Sequence, residues 1–152
     1  MGVIVTRQTG SSTLKQENGV PYYWDISRNK WISVFREIFS FTHDHRNISA
    51  NMWLRIQGNI PSNLNGYSII RNSVITAVNV RGQNLLNAVF RFRKNGIPTN
   101  IISITLTNEK SKTQDILNIN LNAGDYIQCF MEVTSGNVDY PIANVEISAR
   151  TT

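Results

Sequence analysis

The sequence is poor in residues that most binding and redox chemistry requires. Its 152 residues include one cysteine and two histidines, so an intrachain disulfide and a multi-cysteine metal site are both excluded. It has no run of about 18 apolar residues, and therefore no candidate membrane-spanning helix. The first residues lack a basic segment followed by an apolar run, so we expect no secretory signal.

Catalytic and nucleotide-binding motifs are also missing. The sequence contains no nucleophile elbow, P-loop or dinucleotide fingerprint. A Ser-His-Asp or Cys-His arrangement would need His43 or His45, and nothing else in the sequence indicates one. Glu132 and Asp115 could form a glycosidase pair, but Glu132 on the polar face of a strand is more typical of a surface charge. We therefore expect neither an enzyme nor a cofactor.

The two histidines flank Asp44. In an extended chain His43 and His45 project to one side and could hold a metal ion. Zinc, however, usually takes three or four protein ligands. The segment is therefore interpreted as a solvated turn, and no metal site is predicted.

The residues that are present follow the two-residue period of β-strands. The clearest case is the segment 115–136, where apolar and polar residues alternate on both sides of the turn Asn122–Asp125. Such alternation indicates one buried and one solvated face, and the pattern predicts a β-hairpin. Cys129 falls in phase with Ile127 and Met131, which predicts a small core residue rather than a reactive thiol.

Eight or nine short strands, spaced by about ten residues, predict an all-β antiparallel sandwich or barrel. The segment 73–81 is apolar on both faces and predicts an inner strand, and 143–149 predicts the last strand. Residues 82–84 and 95–96 predict turns, and residues 107–114 predict a polar loop.

Residues 1–31 show little periodicity and predict a mostly irregular N-terminal arm, with residues 32–152 forming the head. The arm carries Tyr22, Tyr23, Trp24 and Trp31. Either these rings pack onto the head or they contact a partner subunit, because Tyr and Trp are enriched at interface anchors.

Aromatic and basic residues interleave in the segment Phe90–Lys94, a composition found in single-strand nucleic-acid binders. In a strand, however, Phe90 and Phe92 face away from Arg91 and Arg93. We therefore expect a core face of phenylalanines and a solvated or subunit-facing row of arginines. The net charge of +5 permits contact with a polyanion without demanding it.

Two large rings lie out of phase with the predicted core. Tyr126 and Phe130 alternate with the core positions of their strand, and large aromatic side chains on an outer face suggest a contact surface. Together with Arg91 and Arg93, they form the predicted subunit interface.

The order of several short motifs along residues 27–150 carries a family resemblance. The motifs are Ser27–Val34, Trp53–Arg55, Asn65–Tyr67, Ile70–Ala77, Phe92–Gly96 and Leu121–Gln128. This layout resembles small virion structural proteins of tailed bacteriophages, of the head-fibre, capsid-decoration or tail-fibre-tip type. Their C-terminal domains look similar to the trimeric jelly rolls of the tumour necrosis factor and complement-globular-head group, in which an Ala-Gly-Asp turn precedes a hydrophobic late strand, as Ala123–Asp125 does here.

The resemblance implies a homotrimeric jelly-roll β-sandwich on a virion assembled in the host cytoplasm. The implied anchor to a capsid or fibre-base protein is the arm with Tyr22, Tyr23, Trp24 and Trp31. Without a collagen-like or heptad repeat for a long stalk, the expected protein is a head-fibre or decoration subunit. A tail-fibre tip that binds a host receptor or glycan is the first alternative. A nucleic-acid-binding β-barrel is the second and weaker one, and a bacterial adhesion module would need an export route. No membrane partner is expected.

Overall fold

The structure is a computed structural model that describes residues 3–6, 13–56 and 65–151. All the regular secondary structure within these ranges is β-strand, and all strand pairs are antiparallel, which confirms the all-β, antiparallel part of the predicted fold. The described residues contain no helix that is long and apolar enough to span a membrane. The strands are β1 Val3–Thr6, β2 Thr13–Glu17, β3 Val20–Asp25, β4 Lys30–Ser33, β5 Glu37–Thr42, β6 Met52–Trp53, β7 Tyr67–Ser68, β8 Ser73–Lys94, β9 Asn100–Gln114, β10 Ile119–Leu121, β11 Tyr126–Ser135 and β12 Ile142–Ala149.

The 22-residue strand β8 is the central strand of the larger sheet, whose main strand order is β5-β12-β8-β11-β6. Its first half pairs with β12 and its second half with β11, while β9 follows its other edge. The predicted inner strand 73–81 is confirmed. The predicted turn at 82–84 is wrong: the chain continues as one strand, and Gly82 packs so closely that an added Cβ would lie 2.7 Å from the Leu86 side chain.

The predicted polar loop 107–114 is also wrong, because these residues form the far half of β9. Ser111–Gln114 pair with Val78–Arg81 of β8, beyond a register shift, and Thr107 and Glu109 pair with Asn87 and Leu86. Backbone pairing does not require apolar side chains. Here polar contacts add to it, since the Asn79 amide donates to Thr113 Oγ1 at 2.8 Å.

The predicted hairpin is half right. The turn is present, with Gly124 at φ +91°, but its two flanking strands do not pair with each other. Instead β10 pairs with the start of β8 (Ile119 with Ile75) and β11 with its end (Ile127 with Lys94). The turn therefore carries the chain from one end of β8 to the other.

The prediction of a mostly irregular arm is wrong for the residues described, because β1 to β4 form a four-stranded antiparallel sheet in chain order. Asn18 and Gly19, at φ +52° and +79°, close a hairpin between β2 and β3 with the positive φ angles of a type I′ turn. The proposed boundary between residues 31 and 32 falls within β4.

A buried ion pair joins this N-terminal sheet to the larger one. Arg28 pairs with Asp25 at 2.5 Å, and the two side chains are only 10% and 7% exposed. The guanidinium also donates to the carbonyls of Leu117 at 2.5 Å and Thr76 at 3.1 Å. Burial alone would raise the pKa of Asp25, but hydrogen bonds from Ser27 and Arg28 outweigh it and hold the pKa below its usual value. We call this group the Arg28 latch.

The core lies inside the curl of the larger sheet. The predicted core positions Phe90, Phe92 and Cys129 are fully buried, and burial raises the pKa of the Cys129 thiol well above its usual range. Two backbone hydrogen bonds of 2.8 Å join Thr42 at the end of β5 to Arg55 after β6. The sheet therefore curls far enough for its two edges to meet at this point.

Candidate subunit-contact surface

The predicted interface lies mainly on one outer face of β6, β8 and β11. Phe130 stands directly opposite both Arg91 and Trp53 in the strand register, so their side chains share that face. The rings of Trp53 and Phe130 meet edge to face, with centroids 5.1 Å apart. We call this surface, formed by Trp53, Arg91, Arg93, Phe130 and Glu132, the aromatic–arginine face.

Arg93 is the centre of this face. Its guanidinium carbon lies 5.3 Å from the Trp53 ring centroid and 5.5 Å from that of Phe130. Each such cation–π contact is worth about 0.5–1 kcal/mol at an exposed site. The contacts fix the side chain against the two rings, so the face is a continuous patch rather than a set of independent side chains.

Charge on this face is largely compensated. Arg91 donates twice to one oxygen of Glu132, at 2.9 and 2.7 Å. Beside it, Lys94 lies 3.6 Å from Asp125. Burial would raise the pKa of Asp125, but hydrogen bonds from Asn122 and other neighbours, with the charge of Lys94, lower it. This carboxylate therefore stays ionised, and the surface is not the uncompensated basic strip that a polyanion would favour.

Tyr126 lies on the same outer side of β11, but four residues from Phe130, which is about 13 Å along a strand. Its backbone N–H donates to Asn95 Oδ1 at 2.8 Å, and the Asn95 N–H returns a bond to its carbonyl at 2.9 Å. The structure therefore brings Phe130, Arg91 and Arg93 together and places Tyr126 at the margin.

Sequence reasoning missed Trp53 as a member of this face. The sequence signal is Leu54, an apolar residue directly after Trp53 and a natural core position, and the structure buries it fully. A side chain next to a core position in an extended chain points the opposite way. Tyr126 and Phe130 are half-buried, since neighbouring side chains cover part of each ring.

Several large apolar side chains that are more exposed than Tyr126 and Phe130 lie elsewhere on the body. Phe35, Ile38 and Ile70 are 65%, 65% and 78% exposed, and Phe35 and Ile70 line one open groove. The β-branched and aromatic residues from Ile32 to Phe41 favour a strand that runs through Phe35. Instead the chain breaks between β4 and β5, where the Phe35 N–H donates to Ser33 Oγ at 3.0 Å, and the ring turns outward.

Three of the four predicted anchor residues come together on one face of the N-terminal sheet. Trp24 pairs with Trp31 and Tyr22 with Ser33 in the register of β3 and β4. The two indoles meet edge to face at 5.7 Å, and Trp24 is 40% exposed. Tyr23 lies on the opposite face, where its hydroxyl accepts a hydrogen bond from Arg36 at 2.6 Å.

Comparison with protein-family models, with curated proteins and with solved structures finds no match for this chain.

Proposed function

We propose that this protein is a structural subunit of a tailed-phage virion, a homotrimeric jelly-roll head-fibre or capsid-decoration protein attached through its N-terminal sheet. The motif order in the sequence supports the virion assignment. The antiparallel, curled larger sheet is compatible with it. The observation that carries self-association is the aromatic–arginine face, because Trp, Phe, Tyr and Arg are the residue types enriched at the centres of protein interfaces.

The internal pairing of this face suits burial between copies. A charge that loses water without a partner is costly at an interface. Arg91 already has Glu132, and Arg93 has two aromatic rings and the Asn100 side-chain oxygen at 3.3 Å. A second subunit can therefore cover the face without leaving either guanidinium buried and unpaired.

The proposed attachment point is the indole pair of the N-terminal sheet, with a capsid or fibre-base protein as its partner. Trp24 offers the larger exposed area and Trp31 fixes its orientation. The substitution Trp24→Ser should leave the sheet intact and reduce incorporation into particles. Normal incorporation of this variant would contradict the anchor assignment.

The oligomer is tested by light scattering on the full chain at micromolar concentration. We expect a trimer that Phe130→Ser converts to monomers, with circular dichroism confirming that the variant is folded. Ile116→Ser is the matched control, because Ile116 is 69% exposed and outside the aromatic–arginine face. A wild-type monomer, or a folded Phe130→Ser trimer, would remove the proposed interface.

The virion assignment needs a separate test. A reconstruction and a mass-spectrometric inventory of purified phage particles should contain the chain on the head. Its presence at the fibre tip would favour the receptor- or glycan-binding alternative. Its absence from particles would overturn the virion role and leave the self-association result unaffected.

A further inference from the structure

Three potential metal ligands converge just after β5, in the only such group among the residues that the structure describes. His43, Asp44 and His45 each offer one ligand atom, and these atoms all lie within 4.8 Å of one another. His45 Nδ1 is 2.7 Å and His43 Nδ1 is 3.9 Å from the same Asp44 oxygen. Sequence reasoning counted the two histidines alone; the fold adds the carboxylate between them.

The backbone of this tripeptide is held in place at both ends. The His43 N–H donates to the Pro141 carbonyl at 3.1 Å, and the His45 carbonyl accepts from the Tyr140 N–H at 2.9 Å. The residue just before the tripeptide, Thr42, forms two backbone hydrogen bonds with Arg55. These bonds fix where the three side chains start, so the entropy lost on binding a ligand is smaller than in a free loop.

One ligand atom is buried and makes no hydrogen bond. The His43 side chain is only 10% exposed, and its Nδ1 makes no hydrogen bond. A buried polar atom without a partner costs about 1–3 kcal/mol, and such an atom in a native fold calls for an explanation. Because His43 Nδ1 lies beside Asp44 and His45, coordination of a shared cation would satisfy it.

We propose that His43 Nδ1, an Asp44 carboxylate oxygen and His45 Nδ1 bind one divalent transition-metal ion, with Zn²⁺ as the best-suited probe. Zinc takes nitrogen and oxygen ligands at about 2.0–2.2 Å, which places tetrahedral ligands about 3.3–3.5 Å apart. The present spacings require adjustments of roughly 1 Å. Asp44 and His45 can supply them, since their side chains are 74% and 61% exposed.

The ligand set selects the class of ion. Two imidazoles and one carboxylate suit Zn²⁺, Co²⁺, Ni²⁺ or Cu²⁺, whereas Ca²⁺ and Mg²⁺ prefer oxygen ligands. The three protein groups leave the fourth tetrahedral position to water. Arg55 opposes binding, because its Nη1 is 3.7 Å from Asp44 Oδ1 and its charge repels a cation. Arg55→Gln should therefore bind the ion more tightly than wild type.

The test is calorimetric titration of the full chain with ZnCl₂, with the visible spectrum of bound Co²⁺ as a second readout. We expect one ion per chain and no heat with CaCl₂. Asp44→Asn and His45→Ala should each weaken Zn²⁺ binding by more than about tenfold, since even groups behind the ligands cost 10–100-fold. These exposed positions are preferred to the buried His43 because their variants should fold.

The matched control is Asp115→Asn, which removes an exposed carboxylate outside the cluster and should leave Zn²⁺ affinity unchanged. Absence of binding to wild-type protein would overturn the proposal. So would binding that survives both ligand variants, or a stoichiometry below one ion per chain. None of these outcomes depends on whether the chain forms trimers.

Discussion

Replacing Arg28 by methionine tests whether the Arg28 latch holds the two sheets together. The substitution keeps a long apolar stem but leaves the Asp25 carboxylate, 7% exposed, without its cation. Removing one partner of a buried ion pair typically costs about 3–5 kcal/mol. For a domain of this size, 1 kcal/mol corresponds to about 2–4 °C in melting temperature. We therefore expect a fall in melting temperature of about 6–20 °C.

Tryptophan fluorescence during thermal or guanidinium unfolding reports on both sheets, because Trp24 and Trp31 lie in the N-terminal sheet and Trp53 in the larger one. Arg81→Met is the matched control, since Arg81 is exposed on β8 and should change stability by less than about 0.5 kcal/mol. The double variant Asp25→Asn/Arg28→Met removes the unpaired carboxylate and should recover part of the lost stability.

A loss of less than about 1 kcal/mol in the free energy of unfolding of Arg28→Met would refute the role of the Arg28 latch. So would a double variant that is no more stable than Arg28→Met. The effect also depends on pH in a fixed direction. Because the pKa of Asp25 is lowered in the folded protein, its ionised form stabilises the fold above the unfolded pKa. That contribution disappears as the pH falls through the lower, folded pKa, so the difference between wild type and Asp25→Asn should shrink in acid.

Two further predictions concern the segment before β8. Gly66→Ala should destabilise the fold by about 1–3 kcal/mol, because its Cβ would overlap the Ile127 carbonyl oxygen. An unchanged unfolding midpoint in guanidinium would show that this close contact is absent. Burial and a hydrogen bond to Glu37 raise the pKa of Tyr67 to about 12. The protonated hydroxyl therefore stabilises the fold fully below the pKa of the unfolded state, near 10. This contribution is lost as the pH rises through 12. Tyr67→Phe should therefore flatten the loss of stability measured between these two pH values, and an identical alkaline profile would contradict the assignment.

Local periodicity predicted the strands but not their partners. The alternation at Ala88–Phe92 and at 143–149 identified buried positions correctly, because side chains in any strand alternate between two faces. The turn at Asn122–Asp125 was also predicted correctly, but the pairing of the two strands beside it was not. A turn signal fixes a reversal of the chain, whereas pairing depends on which backbone lies alongside, and here β8 is long enough to pair with β10 at one end and β11 at the other.

The N-terminal sheet shows a signal that was present and misread. The arm 1–31 is predicted to be mostly irregular, although its Asn18-Gly19 pair is a strong signal for a two-residue hairpin. The strands on either side lack a clear alternation of apolar and polar residues. β2 has Leu14 as its one apolar residue, whereas β3 is apolar or aromatic on both faces from Val20 to Trp24. The Arg28 latch could not be predicted, because its carbonyl partners lie 48 and 89 residues further along the chain.

The aromatic–arginine face gains its order from the core behind it. Phe90 and Phe92 are fully buried, and Arg91 and Arg93 alternate with them on the same strand, so any shift of register in β8 would move both sets at once. The outer face is therefore as well positioned as the core, although it adds little to core packing. For this reason, Arg93→Ala should alter association at a cost in stability of about 1–2 kcal/mol, the worth of its two cation–π contacts. Phe92→Ala should alter association and also cost about 3–5 kcal/mol of stability. That separation distinguishes a surface that serves assembly from one that only completes the fold.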